Sequence, residues 1–185
     1  MGRGAVDPTS QILLKHYRDN YSNGSLQSTA DLIVNIMFLR NTMSREMVRL
    51  CALGEMPWLK VENGKLTQAS KQACDEAYLK LGGKVFFSGS VEPMKGRSKA
   101  PKKGYGELVN EVVHFARRAN DLAALWQGPK AVESLATAIR KISGFGGKGF
   151  RMKEIVLDLA EIAGGADVDD QLVDRLSLVP RCSQR

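Results

Sequence analysis

Nine residues, Ile142, Ser143, Gly144, Phe145, Gly146, Gly147, Lys148, Gly149 and Phe150, constrain this chain more than any other stretch. On both sides the apolar residues recur at helical spacing: Val132, Leu135, Ala136, Ile139 and Ile142 before, Met152, Ile155, Val156 and Leu159 after. Helices over 130–142 and 151–162 are therefore expected, joined by a glycine-rich turn. Gly144 and Gly146 permit positive φ and close backbone approach, and Phe145 between them can plug the core and fix the turn. Backbone N–H groups at 146–149, opening the second helix, would then point at an anion. A phosphate loop or a plain helix cap uses glycines in the same way, so the turn alone does not choose among them.

The anion has support from charge. The chain has 185 residues, a formal net charge of +7 and a pI near 9.4. Each basic residue laid on a phosphate releases condensed counterions, so a polyanionic partner such as nucleic acid is favoured over a basic surface that serves only solubility. At 43% hydrophobic and 25% charged residues the composition is that of a globular protein, and no apolar run approaches the ~20 residues that cross a bilayer. Cys51, Cys74 and Cys182 are widely spaced and form no metal or disulfide pattern. Three thiols also fall short of the four that hold a cubane iron-sulfur cluster. No cofactor or metal is expected. The first ten residues lack the apolar core of a secretory signal, so an intracellular protein is expected, in cytoplasm or nucleoid.

Elsewhere the pattern is helical. Short helices are expected over 11–19 and 44–53, a helix over 68–81, and a long amphipathic one over 107–126 that ends at Gly128-Pro129. Leu32, Ile33, Ile36, Met37 and Leu39 mark a further helix, with Ser28 or Thr29 as its cap and Arg40-Asn41-Thr42 as its polar end. Pro57, Trp58 and Asn63-Gly64 read as a loop or tight turn, and Val85-Phe86-Phe87 is the only strand-like run. Residues 88–106 hold Lys95, Arg97, Lys99, Lys102 and Lys103 against one acid, Glu92, and read as a mobile basic loop, either a solvated linker or a phosphate-binding arm. The core is expected to begin after a turn-rich stretch at 20–25. The domain reading is thus an arm with a short helix over 1–27, a helical domain over 28–178 and a tail over 179–185.

The glycine-rich turn between helices resembles the helix-hairpin-helix motif of the DNA base-excision glycosylase superfamily. Ser143 replaces that pattern's proline, and Lys148 falls where bifunctional members hold a Schiff-base lysine. Downstream, Val168-Asp169 with Gln171, Val173 and Arg175 resembles the segment that carries the superfamily's catalytic aspartate, and upstream Arg40, Asn41 and Thr42 resemble the DNA-facing end of its first core helix. The resemblance implies an all-α fold of two helical lobes with a DNA groove between them. A narrower resemblance rests on residues 146–155 with Asp158: Gly149-Phe150, then Lys153-Glu154, then Asp158 are similar to the hairpin of the α-glutamyl/putrescinyl thymine pyrophosphorylases, the amino acid:DNA transferases of thymine hypermodification.

That family implies a bacteriophage-type reaction in which an amine or amino acid displaces pyrophosphate from pyrophosphorylated 5-hydroxymethyluracil in DNA. Lys148, Arg151 and Lys153 at a helix start suit the leaving pyrophosphate, and Asp169, Glu154 or Asp158 suit the proton of the attacking ammonium. Under a glycosylase reading Asp169 would instead stabilise the sugar cation or activate the nucleophile, and Lys148 could attack C1′; both schemes need base flipping. A module that only binds DNA needs Gly144, Gly146, Gly147, Lys148, Gly149, Arg151, Lys153 and the basic loop, with the carboxylates incidental. Asp167, Asp169 and Asp170 also suit a solvated turn and helix cap, Trp58 and Trp126 suit packing, and His16 and His114 are assigned no chemistry.

Overall fold

A computed structural model of the chain describes residues 7–22, 24–42, 45–80, 113–142, 150–164 and 176. Its order is α1 (Pro8–Asn20), α2 (Leu26–Thr42), α3 (Arg45–Ala52), a hairpin of β1 (Val61–Glu62) and β2 (Lys65–Leu66), α4 (Gln68–Lys80), α5 (Val113–Gln127), α6 (Ala131–Arg140) and α7 (Phe150–Ala163). The described residues are thus mostly helical, as the apolar periodicities require.

Helix α2 lies at the centre. Every residue from 29 to 40 is buried, and the helix packs against α1, α5, α7 and β1. A helix covered on all sides carries apolar groups all round rather than in one stripe. Its start is set by Ser25, whose Oγ accepts from the Ser28 N–H at 3.1 Å, so the cap lies three residues before the expected Ser28. Its end also differs from expectation: the polar triplet at 40–42 continues the helix instead of breaking it.

Helix α1 belongs to the same core, where Leu13, Leu14 and Tyr17 are at most 2% exposed. The core therefore begins before the turn-rich stretch, and 1–27 is not simply an arm. Asp7 caps the helix through the Ser10 N–H at 3.1 Å, with Pro8 in the first turn, where its missing N–H costs nothing. Helix α3 ends in a Schellman arrangement: Gly54 at φ 69° donates to the Cys51 carbonyl, and Glu55 donates to that of Leu50.

The sheet was not foreseen, because the strand signal was sought in Val85-Phe86-Phe87, outside the described residues. Asn63 at φ 49° and Gly64 at φ 70° form the left-handed two-residue turn that joins β1 to β2. Two-residue strands have little periodicity to read. This hairpin is held by side chains of α2 as well as by its own ladder. Asn35 Oδ1 accepts from the Leu59 N–H at 3.0 Å and its Nδ2 donates to the Leu59 carbonyl at 2.8 Å. Asp31 Oδ1 accepts from the Val61 N–H at 2.9 Å, and Gln27 Nε2 donates to the Val61 carbonyl at 2.6 Å. The helix thus presents its polar side chains to this segment as a neighbouring strand would present its backbone, which explains why polar groups sit in an otherwise apolar helix. Burial raises the Asp31 carboxyl above its ordinary range, against the opposing hydrogen bonds from Val61 and Gln27.

Candidate functional site

Helices α6 and α7 pack on each other. Ala131 and Val132 at the start of α6 and Ala163 and Gly164 at the end of α7 line one cleft, so the two helices run antiparallel; residues 143–149 between them lie outside the described residues. The cleft measures about 390 Å³ and is also lined by Tyr21, Thr29, Trp126 and Gln127. Trp126 and Trp58 are partly buried against the core, in keeping with packing roles.

Most of the residues that carried the sequence argument lie outside the described residues: Gly144, Gly146, Gly147, Lys148, Gly149, Asp169, and Lys95, Arg97, Lys99, Lys102 and Lys103. Asn41, Thr42 and Arg151 are described only through their helical backbone. Lys153 and Glu154 stand partly exposed in the first half of α7.

Arg40 and Asp158 require correction. Arg40 was expected to face DNA and Asp158 to serve as a catalytic carboxylate, yet they are 5% and 0% exposed and face each other. Arg40 Nε and Nη2 donate to the two Asp158 oxygens at 2.7 and 2.8 Å, the bidentate geometry that a planar guanidinium and a carboxylate share. Arg40 Nη1 donates to Ser10 Oγ at 3.1 Å and lies 3.4 Å from Glu154 Oε2. Ser10 Oγ in turn donates to Asp7 Oδ2 at 2.7 Å. One guanidinium therefore ties α2 to both α1 and α7. Burial alone would lower the Arg40 pKa, but the hydrogen bonds and charge of Asp158 outweigh it and raise the pKa instead. Asp7 is held below its ordinary range by the Ser10 hydroxyl.

A group that must receive a proton from a substrate needs an exposed lone pair, and Asp158 has none. Glu154 and Asp158, four apart, do share a helical face, but their common ligand is Arg40. Glu154, with its side chain 27% exposed, is the candidate carboxylate of α7 that reaches solvent. Beside this cluster the Tyr17 hydroxyl is buried without a partner among the described residues, and burial followed by the charge of Asp158 raises its pKa well above the ordinary value. His16 is also buried; burial lowers its pKa to about 4, its Nε2 has no partner among the described residues, and its ring lies 5.8 Å from that of Trp58.

Arg140 was missed by the sequence reading. It stands in the last turn of α6, is 5% exposed, and its Nε and Nη1 are buried without a hydrogen-bond partner among the described residues. A signal existed: Arg140 continues the Val132, Ala136 spacing on the apolar face, where an exposed helix-end arginine would not fall.

Among the described residues no group of three or more His, Cys, Asp or Glu side chains converges as a metal site, and no helix is long and apolar enough to cross a membrane. Cys51 and Cys74 are buried free thiols, with Cys51 pushed up to about 12 by burial. No family model, curated protein or solved structure matches the chain.

Proposed function

We propose that this chain grips the DNA backbone through the glycine-rich connection of its α6–α7 pair and modifies a base extruded from the duplex. The observation that carries the reading is the antiparallel pairing of α6 and α7 around residues 143–149, with Lys141 and Lys153 on the flanking ends. A helix start rich in glycine N–H groups and in cations is suited to phosphate. In this proposal the fold is a helix-hairpin-helix one of two lobes, with DNA between them.

The chemistry we favour is transfer. An amine nitrogen attacks the exocyclic methylene of pyrophosphorylated 5-hydroxymethyluracil, the bond from carbon to the pyrophosphate oxygen breaks, and pyrophosphate leaves. Lys148, Arg151 and Lys153 would hold the leaving group, and Asp169 or Glu154 would take the ammonium proton. Asp158 is absent from this scheme because both its oxygens are engaged by Arg40. That same engagement favours one other reading, a module that binds DNA without acting on it, since it removes one of the carboxylates that chemistry would use.

The test incubates the protein with duplexes carrying either pyrophosphorylated hydroxymethyluracil plus an amine donor or uracil lesions, and resolves the nucleosides by mass spectrometry. Amine-linked thymine supports transfer. Abasic sites replace it with a glycosylase, and binding without product leaves the module.

A further inference from the structure

The cleft at the start of α6 and the end of α7 is built from helix ends. The C-terminal ends of α1, α5 and α7 and the N-terminal turns of α2 and α6 all contribute to its lining. Its volume, about 390 Å³, falls within the roughly 300–1,000 Å³ of small-molecule sites. None of its lining side chains carries a charge, in a chain where 25% of residues are charged. Helix N-termini carry partial positive charge and C-termini partial negative charge, so ends of both kinds around one space largely cancel. An ion therefore gains little there. A neutral group that both donates and accepts gains more, because helix-end N–H groups and carbonyls border the same space.

The side chains narrow the ligand further. Trp126 and Tyr21 bring two aromatic rings to the lining, and Ala131, Ala163 and Gly164 leave room beside them, a combination suited to a flat ring. Gln127 Nε2 donates to the Gly24 carbonyl at 3.3 Å, which leaves its Oε1 as an acceptor, and Thr29 and Tyr21 add hydroxyls.

We propose that this cleft binds a neutral planar heterocycle with an amide or imide edge, the chemistry of a nucleobase, stacked on Trp126 and hydrogen-bonded by Gln127. The base comes either from a free nucleoside or from an unpaired position in a DNA strand. Choosing nucleobases among such heterocycles rests on the proposed function; the neutral, planar class does not.

The experiment compares the full wild-type chain with Ala131→Leu, which fills the cleft from a partly exposed position, and with Gln127→Ala at an exposed one. The probes are thymidine, thymidine methylated on its imide nitrogen, and a short duplex with or without one unpaired thymidine. Equilibrium dialysis gives affinity, and tryptophan fluorescence reports on the cleft through Trp126, since Trp58 lies against His16 instead. Thymidine should quench the wild type saturably. Ala131→Leu should bind it about tenfold or more weakly, and Gln127→Ala about threefold to tenfold, the share of one hydrogen bond. The methylated probe, its edge blocked, should bind the wild type weakly as well, and both variants should melt near the wild-type temperature.

Equal affinity of wild type and Ala131→Leu, or of the two nucleosides, overturns the proposal; should Ala131→Leu fail to fold, Gln127→Ala and the methylated probe decide. A wild type that binds paired duplex but neither thymidine nor the unpaired base also overturns it, and the DNA reading survives that result. Conversely, thymidine binding that Ala131→Leu removes, without any duplex binding, upholds the site and refutes the DNA grip. Preference for the duplex with the unpaired base, lost in Ala131→Leu, upholds it with DNA as the source.

Discussion

Replacing Asp158 by alanine removes the acceptors of Arg40 Nε and Nη2, leaving only Ser10 Oγ on Nη1 of a guanidinium 4% exposed. Breaking a buried pair from one side costs about 3–5 kcal/mol. Glu154, already 3.4 Å from Nη1 and partly exposed, offsets some of this by moving inward, so the lower end, about 3 kcal/mol, is expected. For a chain of 185 residues this lowers Tm by roughly 6–12 °C. The double variant Arg40→Met with Asp158→Leu exchanges the pair for apolar volume and should lie within about 1 kcal/mol of wild type. Melting followed by circular dichroism on Arg40→Met, Asp158→Leu and the double then gives a coupling energy of at least about 2 kcal/mol. A loss below about 1 kcal/mol for Asp158→Ala, or strictly additive effects, would refute the brace. Wild-type melting with lost turnover would return Asp158 to the chemistry.

Other perturbations test the remaining structure. Asn35→Ala leaves the Leu59 N–H and carbonyl without partners inside the protein and should cost about 2–4 kcal/mol in denaturant unfolding. His16 is neutral when folded, with its pKa lowered from 6.5 to about 4, so the unfolded chain binds the extra proton. Its contribution is present above pH 6.5 and is lost as pH falls toward 4, by roughly 2–3 kcal/mol, and His16→Leu should flatten that window in a stability-against-pH series. Gly54→Ala forces a side chain into the left-handed region and should cost about 1 kcal/mol, read as a Tm drop of roughly 2–4 °C. Cys51, held as a thiol by burial, should resist alkylation at neutral pH until the chain is unfolded.

The helices were legible because their apolar residues repeat, and the Asn63-Gly64 turn because its residue types suit positive φ. Burial of charge was not legible. Arg40 and Asp158 read as exposed site residues, since linear spacing shows which helical face a residue shares but not which distant partner covers that face. Arg40 and Asp158 are 118 positions apart. Ser25 was passed over as a cap because Leu26 after it is exposed, so the apolar pattern starts later than the helix. The candidate site divides the same way: charge and glycine spacing led to the expectation of a phosphate at 143–149, whereas removing Asp158 from the catalytic set took three-dimensional contacts.

The complete burial of residues 29–40 in α2 has a consequence for how this protein opens. Peripheral helices can fray while the rest stays folded, but α2 touches α1, α5, α7 and the hairpin, and its inner turns meet water only when those neighbours separate. Amides near Ile33 to Phe38 should therefore exchange with deuterium at the slowest rate in the chain, and that rate should report the free energy of global unfolding. Any ligand that stabilises the folded chain would then be detectable as slowed exchange in α2, wherever it binds.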